Sequence, residues 1–183
     1  VENNKPLNAL NTFGLTASAE YFVEIESVED FKELLHQPVY KKNEKLILGG
    51  GSNILLTDNF KGIVIKNSIT GIEVMSQAET EVIVKVNAGE IWHNFVLWCI
   101  DKNYAGIENL SLIPGLVGAA PMQNIGAYGV EIKDVFYELE ALDMNSGDLK
   151  KFTLTDCKFG YRESVFKNKL KGKFFITSVS FKL

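Results

Sequence analysis

Residues Leu112 to Gly129, LIPGLVGAAPMQNIGAYG, constrain this chain more than any other stretch. The segment holds Gly115, Gly118, Gly126 and Gly129 with Pro114 and Pro121, carries no Lys, Arg or Asp, and shows no helical or strand periodicity. Each glycine costs about 0.5–1 kcal/mol relative to Ala inside a regular element. A surface loop would be more polar. Such a run does one thing well: it brings bare backbone N–H groups close to something flat or anionic. The reading that follows is a cofactor-cradling segment whose second wall lies elsewhere in the chain.

The candidate for that wall is Gly49-Gly50-Gly51-Ser52-Asn53, directly after the apolar run Leu46-Ile47-Leu48. Glycine permits the left-handed turns that aim successive N–H groups inward, and Ser52 and Asn53 add side-chain donors. A tight strand-to-strand turn is the alternative, but three consecutive glycines exceed what a turn needs. The stretch is not a P-loop, because Ser52 follows Gly51 with no Lys between. It is not a Rossmann fingerprint either, because Ile54 stands where the last glycine should be. Taken with the later segment, it implies a ligand shared between two subdomains, where clefts usually hold cofactors.

The totals fit a binding protein of ordinary kind. The 183 residues make one domain or two small ones, enough to bury roughly 70% of the unfolded surface without a staple. A net charge of -4 argues against nucleic acid or an anionic membrane held by bulk charge. It leaves room for an anionic small molecule held by backbone amides. Cys99 and Cys157 form no CxxC, and a disulfide between them is not expected. No apolar run approaches the length of a membrane span, and the polar start VENNKPLN is no signal peptide. The chain begins at Val1, which suggests processing or trimming.

Along the chain, residues 1–12 read as a polar arm or edge. Ala19 to Ile25 reads as a strand. Ser27 and Asp30 resemble a capping box before a helix marked by Val28, Phe31, Leu34 and Leu35, which Pro38 stops. Leu46 to Leu48 and Gly62 to Lys66 add strands, making a small α/β unit. Ile72 to Met75 and Glu81 to Val86 read as a meander. A helix follows from about Glu90 to Asn103, with Ile91, Phe95, Trp98 and Cys99 on its inner stripe. Strands at Val135 to Leu142, Lys151 to Leu154 and Phe174 to Leu183 complete a mostly antiparallel second part. The boundary is placed at residues 67/68.

Two further features carry possible chemistry. Phe159-Gly160-Tyr161-Arg162-Glu163-Ser164 sets a cation and an aromatic beside a glycine. Arg162 suits an anionic substrate or a developing enolate, although on spacing alone an exposed Arg paired with Glu163 or another carboxylate is the simpler reading. Gln123 and Asn124 are amides in an apolar setting, suited to the edge of a heterocycle. His36 and His93 lack neighbouring ligand residues, so no metal site is expected, and the stripe bearing Trp92 and Trp98 reads as core.

Asn11-Thr12-Phe13-Gly14, Ile47 to Asn53, Ile113 to Gly129 and Phe159 to Ser164 together resemble the UDP-N-acetylenolpyruvoylglucosamine reductases, flavoenzymes of peptidoglycan precursor synthesis. The likeness spans nearly the whole chain. The long segment from Pro114 to Gly129 is highly specific, whereas the triple glycine is shared with the wider vanillyl-alcohol-oxidase group of flavoproteins. The resemblance implies an α+β, two-subdomain FAD-binding fold of the vanillyl-alcohol-oxidase/PCMH type. A small α/β subdomain (1–67) and a larger α+β subdomain (68–183) would hold FAD between them. It implies that Gly49, Gly50, Gly51, Ser52 and Asn53 hold the cofactor from one side. Pro114, Gly115, Gly118, Ala119, Ala120, Gln123, Asn124, Gly126, Ala127, Tyr128 and Gly129 would hold it from the other.

In such reductases NADPH reduces FAD, hydride passes to the enolpyruvyl double bond of a UDP-sugar, and a serine protonates the resulting enol. Arg162 matches the catalytic arginine of the family's FGYR motif, which raises it above the simple surface reading, with Tyr161 beside it as a substrate contact. The family's proton-donating Ser, in an SFF context, and its assisting Glu come from a further substrate domain, and no SFF stretch occurs here. The expectation is a cytoplasmic flavin-binding portion of the enzyme, serving cell-wall biogenesis and through it cell shape and division, that binds FAD without turnover. Two alternatives remain open: a non-catalytic flavin-fold binding module, and another flavin oxidoreductase of the same fold group. A covalent flavin link is disfavoured because no His or Cys falls in the glycine loops.

Overall fold

The computed structural model describes all of residues 1–183. Two sheets are built in succession. The first takes β1 (Glu2–Pro6), β2 (Ser18–Ile25), β3 (Lys45–Leu48) and β4 (Phe60–Asn67) in the order β1-β2-β4-β3. β1 runs antiparallel to β2, and β4 lies parallel to both β2 and β3. The polar arm expected at the start is therefore an edge strand. The second sheet takes β5 (Ile72–Gln77), β6 (Val82–Asn87), β9 (Phe136–Asp143), β10 (Leu149–Thr153) and β11 (Phe174–Lys182), ordered β10-β9-β11-β6-β5 and antiparallel throughout. Between β6 and β9 in sequence lie the two-residue strands β7 (Gly126–Ala127) and β8 (Val130–Glu131), a hairpin at the end of the glycine segment.

The helices follow from local chemistry. α1 (Val28–His36) starts at Ser27, whose hydroxyl accepts from Asp30 N at 3.1 Å, while the Asp30 carboxylate accepts from Ser27 N at 2.9 Å. That reciprocal box satisfies two otherwise orphaned donors. The Ser27 interaction, with Glu26 N, holds the Asp30 carboxyl below its usual range. Pro38 ends α1 but does not end helical structure: it is the first residue of α2 (Pro38–Lys42), the position where its missing N–H is no loss. α3 (Trp92–Asp101) buries Trp92, Phe95, Val96 and Cys99. Ile91, assigned to the inner stripe from spacing, instead caps the helix and is 49% exposed. α4 (Leu154–Cys157) is a single turn with its own capping box at Thr153.

The large core lies under the second sheet and α3. A second core joins the two sheets. α1 supplies Phe31, Leu34 and Leu35; the first sheet supplies Ile25, Ile63 and Ile65; the second brings Leu142 and Phe175, with Met144 just past β9. The Phe31 and Phe175 rings stack at 4.6 Å, and the Tyr40 hydroxyl donates to Met144 O at 2.5 Å. Between β4 and β5, Asn67 Nδ2 donates to Ile176 O at 2.8 Å while its Oδ1 accepts from Ile69 N. This buried amide fixes the crossing from one sheet to the other. Cys99 and Cys157 are free and buried, and burial pushes both thiols up to about 12. No helix is long and apolar enough to cross a membrane.

Candidate functional site: two glycine segments in contact

Gly49 to Asn53 leave the carboxyl end of the parallel strand β3, the end at which ligands of open α/β sheets bind. No backbone carbonyl accepts from any N–H of Gly49, Gly50, Gly51, Ser52 or Asn53. Backbone N–H groups at partly buried positions are rarely left unpaired. A run of five is a donor array suited to an anion.

The three glycines serve different ends. A Cβ on Gly51 would lie 2.0 Å from Leu10 O, and its φ is +66°. Beneath it, Asn11 ties its own loop together through bonds to Leu7 O and Leu15 O, and Thr12 N donates to Gly51 O at 3.1 Å. The Asn11-Thr12-Phe13-Gly14 loop is thus the floor on which the triple glycine rests. A Cβ on Gly50 would meet the other glycine segment, 3.2 Å from Gly115 Cα. One on Gly49 would meet only side chains of that segment, Leu116 at 3.7 Å and Ala119 at 3.9 Å.

The second segment is fixed just as closely. Although irregular in sequence pattern, it forms a 3-10 helix over Val117–Gln123 that closes on Asn124 in the left-handed region. Gly118 N donates to Ala88 O at 2.9 Å, and a Cβ on Gly118 would lie 2.5 Å from Ala88 Cβ. The contact presses the segment onto the turn after β6, and Ala88 N in turn donates to Thr177 O of β11. The N–H groups of Gly115 and Leu116 meet no backbone carbonyl, and Gly115 lies against Gly50, where a Cβ would come within 3.2 Å of Gly115 Cα.

Between the segments lies a cavity of about 140 Å³. Gly49 and Ile47 bound it on the side of the first sheet, Leu116, Gly118, Ala119 and Met122 on the side of the second segment, with Asn67 and Phe174 in its lining. The walls are mostly apolar, and of the donor residues Gly49 and Leu116 reach the lining while Gly50 to Asn53 and Gly115 lie outside it, a mix suited to a largely apolar ligand with an anionic part that extends beyond the cavity.

Not every expected contact lines this cleft. Ala120 is buried in the large core, so its side chain faces away from any ligand. Asn124 is fully buried with both ends of its amide already taken. Its Nδ2 donates to Gly160 O at 3.0 Å and its Oδ1 accepts from Lys133 N at 3.1 Å. It is a strut rather than an amide awaiting a heterocycle; Gln123 beside it is only partly buried. Gly126 is needed by its own hairpin, where a Cβ would lie 2.8 Å from Val130 O, and Gly129 by its φ of +82°. Ala127 belongs to the same hairpin, and Tyr128 at its tip is 88% exposed with φ of +51°.

Tyr161 and Arg162 sit on a second tip held against the first. Arg162 Nη2 donates to Gly126 O at 2.9 Å, and the Ser164 hydroxyl donates to Met122 O at 2.7 Å. The surface pairing of Arg162 with Glu163 does not form; Glu163 accepts from Asn168 Nδ2 instead. Tyr161 is 87% exposed. Asn124, Ser164 and Arg162 therefore dock the arginine loop on the glycine segment, with the guanidinium held at the Gly126 hairpin. Replacing Asn124 with Ala leaves Gly160 O and Lys133 N–H unpaired and sets Ala in a left-handed conformation. The expected loss is about 2–3 kcal/mol of stability, measured by denaturant unfolding.

Asn11, Asn67, Asn124 and Ser164 position the site, and only Asn124 was singled out by its sequence context. Asn67, Asn124 and Ser164 act through partners far away in sequence, which no spacing rule marks, whereas the bonds of Asn11 stay within its own loop.

Residues 19–153 match the family model for the FAD binding domain. The chain belongs to this family. Both glycine segments fall inside the FAD-binding match. The chain is 49% identical over all 183 residues to the UDP-N-acetylenolpyruvoylglucosamine reductase of Flavobacterium johnsoniae and 50% identical to that of Amoebophilus asiaticus, covering 54% of each. It thus spans about half the length of the curated relatives it matches. Among solved structures, the corresponding reductase of Thermus caldophilus superposes with a TM-score of 0.78 at 23% identity, over 98% of this chain and 60% of that one. p-Cresol methylhydroxylase superposes at 0.62 with 13% identity, over 92% and 36%. The fold is the FAD-binding unit of the vanillyl-alcohol-oxidase/PCMH type, mixing helix and sheet as expected.

Proposed function

We propose that residues 1–183 are the FAD-binding part of an NADPH-dependent reductase that converts UDP-N-acetylglucosamine enolpyruvate to UDP-N-acetylmuramate, a cytoplasmic step of cell-wall synthesis. Residues 1–67 and 68–183 are its two subdomains, each supplying one wall of the cofactor site. The observation that carries the reading is the contact of Gly50 with Gly115, which sets the unpaired N–H groups of Gly49 to Asn53 against those of Gly115 and Leu116. Support comes also from the full-length likeness to relatives named as such reductases.

The donors at Gly49 to Asn53 would hold the pyrophosphate, since consecutive amides bind an anion without cationic side chains. Leu116, Gly118 and Ala119 would lie along the flat ring system, where the lining is apolar. When bound, FAD supplies the hydride. Arg162 would turn its guanidinium from Gly126 O toward the substrate and stabilise negative charge that develops there as the double bond is reduced. A fixed, always-charged fork suits that task. Tyr161, exposed at the same tip, would contact the UDP-sugar.

The proton donor and assisting Glu of such reductases have no counterpart among these residues, so we propose that this 183-residue polypeptide binds FAD without turning over. FAD titration followed by flavin fluorescence, with gel filtration of the yellow complex, tests the binding. A colourless protein after saturation would overturn the cofactor site. NADPH oxidation dependent on the enolpyruvyl sugar would overturn the claim of inactivity.

A further inference from the structure

We infer that His93 is a positioning residue for the cofactor site: its Nδ1 accepts the Leu112 N–H and so fixes the start of the glycine segment. The first turn of α3 grips the approach to that segment at three points. Trp92 Nε1 donates to Leu110 O at 2.8 Å, and Trp92 N donates to Gly115 O at 3.0 Å. Between these, His93 Nδ1 lies 3.2 Å from Leu112 N and 3.3 Å from Ser111 Oγ. The backbone N–H can only donate, so Nδ1 is the acceptor in this bond.

Leu112 needs such a hold. Its φ is +62° and its side chain is 78% exposed. A left-handed conformation is unfavourable for a side chain of this kind, and no packing offsets it. Three residues on, Gly115 faces Gly50 across the cleft. Any relaxation of Leu112 into the extended region would swing Ile113 and Pro114 and carry the Gly115 and Leu116 N–H groups away from the triple glycine. The histidine therefore acts on cofactor affinity without touching cofactor. The inference rests on the FAD reading only for that consequence; the hold on Leu112 stands on geometry alone.

Three variants test it. His93→Ala removes the acceptor. His93→Asn keeps one, since its Oδ1 falls near the position of Nδ1. His93→Gln places its acceptor near Nε2, out of reach of Leu112. Amide hydrogen exchange at Leu112 in the ligand-free protein is expected to quicken about tenfold in the Ala and Gln variants, and to stay near the parent rate in the Asn variant. FAD dissociation constants are expected to rise about fivefold in the first two and to recover in the third. Unchanged exchange in His93→Ala, or rescue by Gln as complete as by Asn, overturns the inference. A parent that fails to bind FAD defeats the proposed function instead, and the exchange rates still decide the role of His93.

Discussion

Gly51→Ala is expected to destabilise the protein by about 2–5 kcal/mol, a large part of an ordinary domain's stability. Two costs add. Alanine in a left-handed conformation costs about 1–2 kcal/mol, and φ here is +66°. The new methyl would lie 2.0 Å from Leu10 O and 2.9 Å from Asn11 Cα, both backbone atoms that cannot swing aside. Forcing them apart costs about 1–3 kcal/mol by the measure of overpacked cores. It also breaks the Thr12 N bond to Gly51 O, on which the loop depends. Denaturant unfolding of the ligand-free protein measures the loss; a midpoint within error of the parent's would show that Leu10 and Asn11 yield easily.

Gly50→Val is expected to do the opposite: leave a folded protein that does not bind FAD. Gly50 is exposed and its φ is not positive, so valine is not excluded by conformation. Its side chain would fill the space against Gly115, where even a Cβ comes within 3.2 Å of Gly115 Cα. The valine then occupies the gap between the walls and keeps one ligand from reaching both donor sets. Losing two or three charge-assisted bonds to a pyrophosphate corresponds to about a hundredfold weaker binding or more. Flavin fluorescence titration reads it, with circular dichroism showing the retained fold. A folded Gly50→Val protein that binds FAD like the parent would place the phosphates elsewhere. One residue apart, the two substitutions separate a glycine needed for folding from one needed for the ligand.

The difference between those neighbours was not legible in the sequence, where the three glycines are alike. Only the loop at Leu10 and Asn11, some 40 residues away, distinguishes Gly51. Local signals translated well: the Ser27–Asp30 box starts α1, and a strand forms where Phe174 to Leu183 reads as one, although it is buried almost throughout and shows no alternation of buried and exposed residues. Misreadings came where tertiary contact overrides spacing. Ile91 meets helical spacing yet lies outside the helix, paired with Leu116. Asn124 and Gln123 are adjacent amides, and only the position of Gly160 and Lys133 makes one a strut. The recurrence of two glycine runs was enough to suggest a shared ligand. Their contact depends on how the sheets pack, which no local pattern encodes.

The stacked Phe31 and Phe175 bear on how a cofactor enters. Because α1 joins both sheets in one apolar core, the walls of the cleft cannot swing apart without wetting two phenylalanines. A dinucleotide would therefore load between walls already in place, at a pace set by the ligand's own reorientation and not by any opening of the protein.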